Sequence, residues 1–187
     1  MPGRGPDFAA AYEEHVFAVY GFFAYRVRAR EEAEDLTQLT FERALRAWSR
    51  YDPRRAAPLT WLLVIARNIL IDHYRADRTA SQQPIDDTAE SVLPTATGPE
   101  TSLGPDAELA RALSGLEPRD QEIVALRYGA DMNGPEIAEL TGLTLANVQQ
   151  ILSRSLRRIH VAFESEREGG DREERRTGGA EDADQRP

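Results

Sequence analysis

At 187 residues the chain has room for two small helical domains, and its lack of cysteine excludes a disulfide framework or a cysteine-ligated zinc site and suits a reducing cytoplasm. Its net charge of -9 argues against nucleic acid only until the charges are placed: residues 77–108 and 164–187 carry the excess acid, whereas residues 1–76 hold 11 Arg against 10 acids and residues 109–163 hold 6 against 6. Every Lys/Arg position is Arg, whose planar fork suits phosphates and base edges. The N-terminus lacks an apolar core of signal-peptide length. The longest apolar stretch, Trp61 to Ala66, is too short to cross a bilayer, so neither export nor membrane insertion is expected.

Apolar residues then recur at helical spacing. Phe8, Tyr12, Val16 and Val19 to Phe23 predict a first helix, with Gly21 a weak point in it. A second spans Glu31 to Tyr51, with Leu36, Leu39, Ala44, Leu45 and Trp48 inward and Arg43, Arg46 and Arg50 outward, and Asp52-Pro53 ends it. The third opens near Pro58 with Thr60 as its cap and runs to Arg75. It places Trp61, Leu62, Ile65 and Ile69 inside and Arg67, Asn68, Asp72 and Arg75 outside. Residues 77–106, rich in Pro, Gly, Ser, Thr and acids, predict a flexible acidic linker that lets two domains move. Beyond it come a short helix over Ala107 to Leu116, another over Arg119 to Tyr128 closed by Gly129, and one from Gly134-Pro135 to Leu140. Thr144 caps a last, longer helix to about Phe163, and residues 164–187 predict a disordered acidic tail. The pattern is all-α, with two small helical domains at residues 6–76 and 107–163.

The stretch Pro135 to Ile159 has the arrangement of a helix-turn-helix. Ala138 leaves room where two helices cross, Gly142 can take the positive φ of a tight turn, and Val148 closes the core between them. Ile137, Leu140, Leu143, Leu145, Ile151 and Leu152 complete an apolar seam. Thr144, Ala146, Asn147, Gln149, Gln150 and Ser153 then face outward on the second helix, where a major groove would meet them, and Arg154, Arg157 and Arg158 are placed for phosphates.

A helix-turn-helix alone leaves function open. The preceding half narrows it. AEDLTQLTFERALRAWSRYDP (Ala33 to Pro53), followed by LTWLLVIARNILIDHYR (Leu59 to Arg75), resembles the second conserved region of bacterial sigma factors of the extracytoplasmic-function group. LSGLEPRDQEIVALRYGADMNGPEIAELTGLTLANVQQILSRSLRRI (Leu113 to Ile159) resembles the fourth region of the same family. Order, linker length and coverage of about three quarters of the chain make the pair far more specific than either block.

The resemblance implies a promoter-specificity subunit of RNA polymerase. By it, Asp35, Leu36, Gln38 and Phe41, with Arg43 and Arg46, dock on the polymerase clamp helices; an acid is frequent in the family where Leu39 stands here. The loop with Arg54 and Arg55 and the helix face Arg67, Asn68, Asp72 and Arg75 meet the -10 element, where melting needs cations to hold the displaced strand. Trp61 spaces with Ile65 and Ile69 as a core residue, whereas Tyr74 stays open as a stacking platform. The last long helix meets the -35 element, and the helix Arg119 to Tyr128 meets the polymerase flap. Gln149 and Gln150 stand where the family commonly has a basic residue, which implies a distinct -35 preference. Many family members are held by an anti-sigma protein; no residue here specifies one.

Enzyme chemistry finds little footing. His15, His73 and His160 are far apart and make no metal spacing, and no glycine-rich phosphate loop or nucleophile elbow occurs, so neither metal nor cofactor is expected. The alternative is a stand-alone regulator that reads DNA through its C-terminal half without polymerase.

Overall fold

A computed structural model of the chain describes residues 7–80 and 105–178. Among them the secondary structure is helical throughout, with no strand. Helix α1 (Phe8–Ala24) starts where the Asp7 carboxylate accepts the Ala9 amide at 3.2 Å. Helix α2 (Arg30–Ala47) passes into a 3-10 turn at Trp48–Arg50, and α3 spans Pro58–Ala80. The Trp61 amide bonds the Ala57 carbonyl at 3.0 Å, so α3 opens with Pro58 in its first turn and Thr60 lies inside the helix rather than capping it.

The buried stripe of α2 is Ala33, Leu36, Thr37, Thr40, Phe41 and Ala44. Leu45, expected inward, is 58% exposed. The threonines occupy inward positions because Thr37 donates to the Ala33 carbonyl at 2.6 Å and Thr40 to Leu36 at 2.8 Å, which satisfies their hydroxyls within the helix. That turns the stripe away from Leu45.

An aromatic cluster closes the far end of the N-terminal half. Trp48 stacks on Tyr51 at 4.7 Å and meets Phe8 at 5.2 Å and Trp61 at 5.6 Å, while Tyr12 lies edge-on to Phe41 at 4.8 Å. Trp61 is thus part of the packing.

The C-terminal half has α4 (Pro105–Ser114), α5 (Pro118–Val124), a π-helical turn at Ala125–Gly129, α6 (Gly134–Thr141) and α7 (Leu145–Gly178). Asn133 and Glu136 form a reciprocal capping box at the start of α6, a device the expected Gly134-Pro135 opening did not include. Gly142 ends α6 with φ +70, as the turn requires. Helix α7 does not stop near Phe163: its backbone stays helical to Gly178, where disorder was expected from Glu164. Most of the expected linker, residues 81–104, and residues 179–187 lie outside the described residues.

The two halves touch. Val19, Phe22, Phe23 and Leu70 belong to one continuous buried cluster with Ile123, Leu126, Met132, Ile137 and Val148, where separate domain cores were expected. The backbones of Gly21 and Gly129 meet so closely that a methyl on either would overlap the other's carbonyl. The π turn makes this possible, because the Ala130 amide reaches back to the Ala125 carbonyl at 3.0 Å and swings Gly129 toward α1. Among the described residues, no helix is long and apolar enough to cross a membrane.

Candidate nucleic-acid and protein interfaces

The helix-turn-helix is assembled by the seam its spacing predicted, with two adjustments. Ile137 and Val148 are fully buried and Ile151 nearly so, while Ala138, Leu140, Leu143 and Leu152 pack at the margin. Leu145 is instead 41% exposed, its tip covering Gly134. Thr144 accepts the Asn147 amide at 3.2 Å and so caps α7. From that start Ala146, Asn147, Gln149, Gln150 and Ser153 are all exposed, a mostly polar ridge.

The three arginines behind that ridge differ. Arg157 and Arg158 are exposed. Arg154 is engaged: its Nη2 lies 2.9 Å from both carboxylate oxygens of Asp120, whose side chain is only 3% exposed. Arg154 thus bridges α5 and α7 while half of its side chain stays exposed, and the pairing offsets the cost of burying the Asp120 carboxylate. Asp120 went unnoticed in the sequence because an acid in a helix's first turn is ordinary; only its burial marks it.

In the N-terminal half, Tyr51 donates to the Ala56 carbonyl at 3.0 Å and Asp52 accepts the Arg54 amide at 3.0 Å. This pins the loop before α3 with Arg54 and Arg55 exposed at its tip. On α3, Asn68, Asp72 and Arg75 are exposed, and Asp72 pairs with Arg43 of α2 at 3.3 Å. Arg67 faces elsewhere: its Nε lies 2.5 Å from Glu122 Oε1 and its Nη1 donates to the Leu140 carbonyl at 3.3 Å, both in the C-terminal half. Tyr74 is not an open platform. It is buried, its hydroxyl donates to the Arg26 carbonyl at 2.5 Å, and burial raises its pKa although the nearby Arg26 guanidinium acts in the other direction.

The residues expected to face a protein partner divide between surface and core. Asp35, Gln38, Arg43 and Arg46 are exposed, but Leu36 and Phe41 are core. Leu45 at 58% exposure and Tyr12, both assigned inward by the spacing, line with Phe17, 81% exposed, an open groove of about 850 Å³ between α1 and α2. Arg30, Glu34, Gln38 and Glu42 rim it. His73, expected to be a surface or boundary residue without metal spacing, has its Nε2 2.5 Å from Glu32 of α2 and 3.4 Å from Asp77 of α3.

Residues 11–79 match the model of Sigma-70 region 2, and residues 106–159 match that of Sigma-70, region 4. The chain belongs to the sigma-70 family, in its ECF group. It is 29% identical over 171 residues to the ECF RNA polymerase sigma factor BldN of Streptomyces coelicolor, covering 84% of this chain and 60% of BldN. It thus spans less than two thirds of that relative's length. With the ECF sigma factor SigM of Bacillus subtilis it shares 28% identity over 153 residues, covering 81% of this chain and 92% of SigM. Its fold is similar to the sigma factor RpoE crystallised with the anti-sigma factor NepR from Bartonella quintana, with TM-score 0.65 and 21% identity over 84% of this chain and 97% of RpoE. In this sigma factor, then, region 2 is the half built on α1 to α3 and region 4 the half built on α4 to α7.

Proposed function

We propose that this sigma factor binds core RNA polymerase and directs it to promoters, working in the cytoplasm as an initiation subunit with no catalytic centre of its own. The observation that carries this is the joint presence, in family order, of regions 2 and 4, with the recognition helix holding Asn147, Gln149, Gln150 and Ser153 free of its own core. Asn and Gln are the side chains that pair in fork fashion with adenine in a major groove, so α7 reads the -35 duplex while Arg157 and Arg158 hold phosphates. Arg54, Arg55, Asn68 and Arg75 engage the -10 element as it melts, with Arg67 joining them once released from Glu122.

The polymerase clamp helices dock on the α1–α2 groove. An apolar floor of Phe17, Tyr12 and Leu45 with a rim of Arg30, Gln38 and Glu42 matches the composition of a specific protein interface better than the buried Leu36 and Phe41 do. The flap meets region 4. RpoE's partnership with NepR supports an anti-sigma protein as a further partner of this chain.

Reconstitution tests the reading: purified chain and core polymerase are given a random promoter library, and run-off transcripts are selected. Enrichment of two spaced elements in transcripts that require the chain is the expected result. Tight promoter binding without polymerase, unchanged when core enzyme is added, returns the stand-alone regulator instead.

A further inference from the structure

His73 gains its neighbours only through the fold. It stands four residues before Asp77 on α3, which puts both on one face of that helix, and Glu32 comes to the same place from the first turn of α2. Their ligand atoms, His73 Nε2 and one oxygen of each carboxylate, all lie within 4.8 Å of one another. The neighbouring Asp72 turns to Arg43 instead.

An ion pair between a protonated His73 and the two acids is the ordinary account of such a trio, but the direction is wrong for it. At 2.5 Å from Glu32 the nitrogen is near enough to donate, yet Nε2 is buried and has no hydrogen-bond partner, so neither oxygen lies in line with its proton. With its proton on Nδ1 the ring would set a bare lone pair against carboxylate oxygens. Either state leaves a buried polar atom unsatisfied, which is costly. A cation is held differently, because it sits between the three atoms and bonds each along its own line. A tetrahedral zinc ion with bonds of about 2.0–2.1 Å keeps its ligand atoms about 3.3 Å apart. Asp77, at 3.4 Å from Nε2, already stands at that separation. Glu32 must draw back by about 0.8 Å to reach it, a small turn for a side chain that is 31% exposed. Asp77 is 64% exposed, which leaves that side open for the ion to enter and for water to complete its coordination.

We propose that Glu32, His73 and Asp77 form a binding site for one divalent first-row transition-metal ion, with zinc the best match, that joins the start of α2 to the end of α3. One imidazole nitrogen with two carboxylate oxygens suits zinc, whereas magnesium demands near-octahedral oxygen ligands and gives up its waters reluctantly. With no cysteine in the chain, no thiolate competes for the ion. Among the described residues this is the one such trio: His160 pairs with Glu164, and His15 lies 3.9 Å from Glu14, each without a third ligand.

Titration calorimetry of the full, metal-stripped chain with Zn2+ alone tests the site. Binding should saturate at one ion per chain, and Mg2+ at about 1 mM should not displace it. Losing an outer-shell partner costs a metal site about 10–100-fold in affinity, so His73→Ala, which removes a ligand, should weaken binding by about 100-fold or more. Glu32→Gln and Asp77→Asn keep the side-chain size and remove the anionic oxygen, and each should weaken it by about ten-fold or more. Glu31→Gln removes the same charge at an exposed position one residue away and should leave Kd unchanged, as should His160→Ala. At about a hundred-fold excess over Kd, Zn2+ should raise the Tm of the unaltered chain by about 5–10 °C and leave that of His73→Ala in place. Absence of saturable binding, a Kd that His73→Ala leaves unchanged, or displacement by Mg2+ overturns the proposal. Equal weakening in Glu31→Gln and Glu32→Gln would make the binding a matter of net charge and overturns it as well. If circular dichroism shows that His73→Ala has lost helix, a Kd unchanged in both Glu32→Gln and Asp77→Asn overturns it.

Discussion

Between Phe8 and Trp61, aromatic rings contact one another along a chain from Tyr12 through Phe41 and Phe8 to Trp48, Tyr51 and Trp61. Residues 107–163 contain only Tyr128 and Phe163, and the corresponding work falls to directed polar contacts. Asn133 and Glu136 cap each other's backbone, Gln121 donates to the Leu113 and Leu116 carbonyls at 2.9 and 3.1 Å, and Asp120 grips Arg154. Helix length explains the contrast. Helices α1 to α3 have 17, 18 and 23 residues and bury wide faces, whereas α5 and α6 have 7 and 8. A helix of two turns buries little apolar area and leaves most of its backbone groups at its ends, so capping and side-chain-to-carbonyl bonds matter more to it. Region 2 is held by area, region 4 by direction.

The largest expected effect tests the aromatic half. Phe41→Ala removes a buried ring that contacts Phe8 and Tyr12 and should cost about 3–5 kcal/mol in urea unfolding. Leu45→Ala, one turn on and exposed, should leave unfolding unchanged within about 0.5 kcal/mol and weaken core-polymerase binding instead. Equal stability losses in the two variants would reverse the assignment of core and docking faces on α2.

Next comes the clamp in the polar half. Arg154→Ala leaves the Asp120 carboxylate buried without its partner and should cost about 3 kcal/mol, the low end for a broken buried pair because the Arg154 side chain is half exposed. Asp120→Ala should cost less, since the arginine it releases can turn to water. If Arg154→Ala keeps full stability and only flattens the salt dependence of DNA binding, the arginine is a phosphate contact and not a clamp.

These two substitutions also mark where the sequence was legible. Helix number and order, the Gly142 turn, the Val148 closure and the Thr144 cap all follow from local rules of spacing and capping, and the structure shows each. What local rules miss is tertiary. Leu45 satisfied the helical period as well as Thr40 did, and only the hydroxyl's bond to its own helix shows why threonine goes inward. Arg154 and Arg67 look like surface cations because their partners lie 34 and 55 residues away. Gly21 appeared as a weakness in α1, and its reason is a backbone on the other half of the chain. Periodicity assigns a face to a residue but not the neighbour that will occupy it.

The smallest expected effect carries the opposite sign. Ser155 continues the inward face of α7 one turn after Ile151, is fully buried, and its hydroxyl has no hydrogen-bond partner. An unpaired buried hydroxyl opposes folding, and alanine is also the better helix former. Ser155→Ala should therefore stabilise the chain by about 0.5–1 kcal/mol, a rise of about 1–4 °C in Tm for a chain of this length. A fall in Tm would mean that the hydroxyl is satisfied, for instance by an enclosed water. Ser155 would then share the directed bonding that holds Asp120 and Asn133, and the contrast with the aromatic half would sharpen.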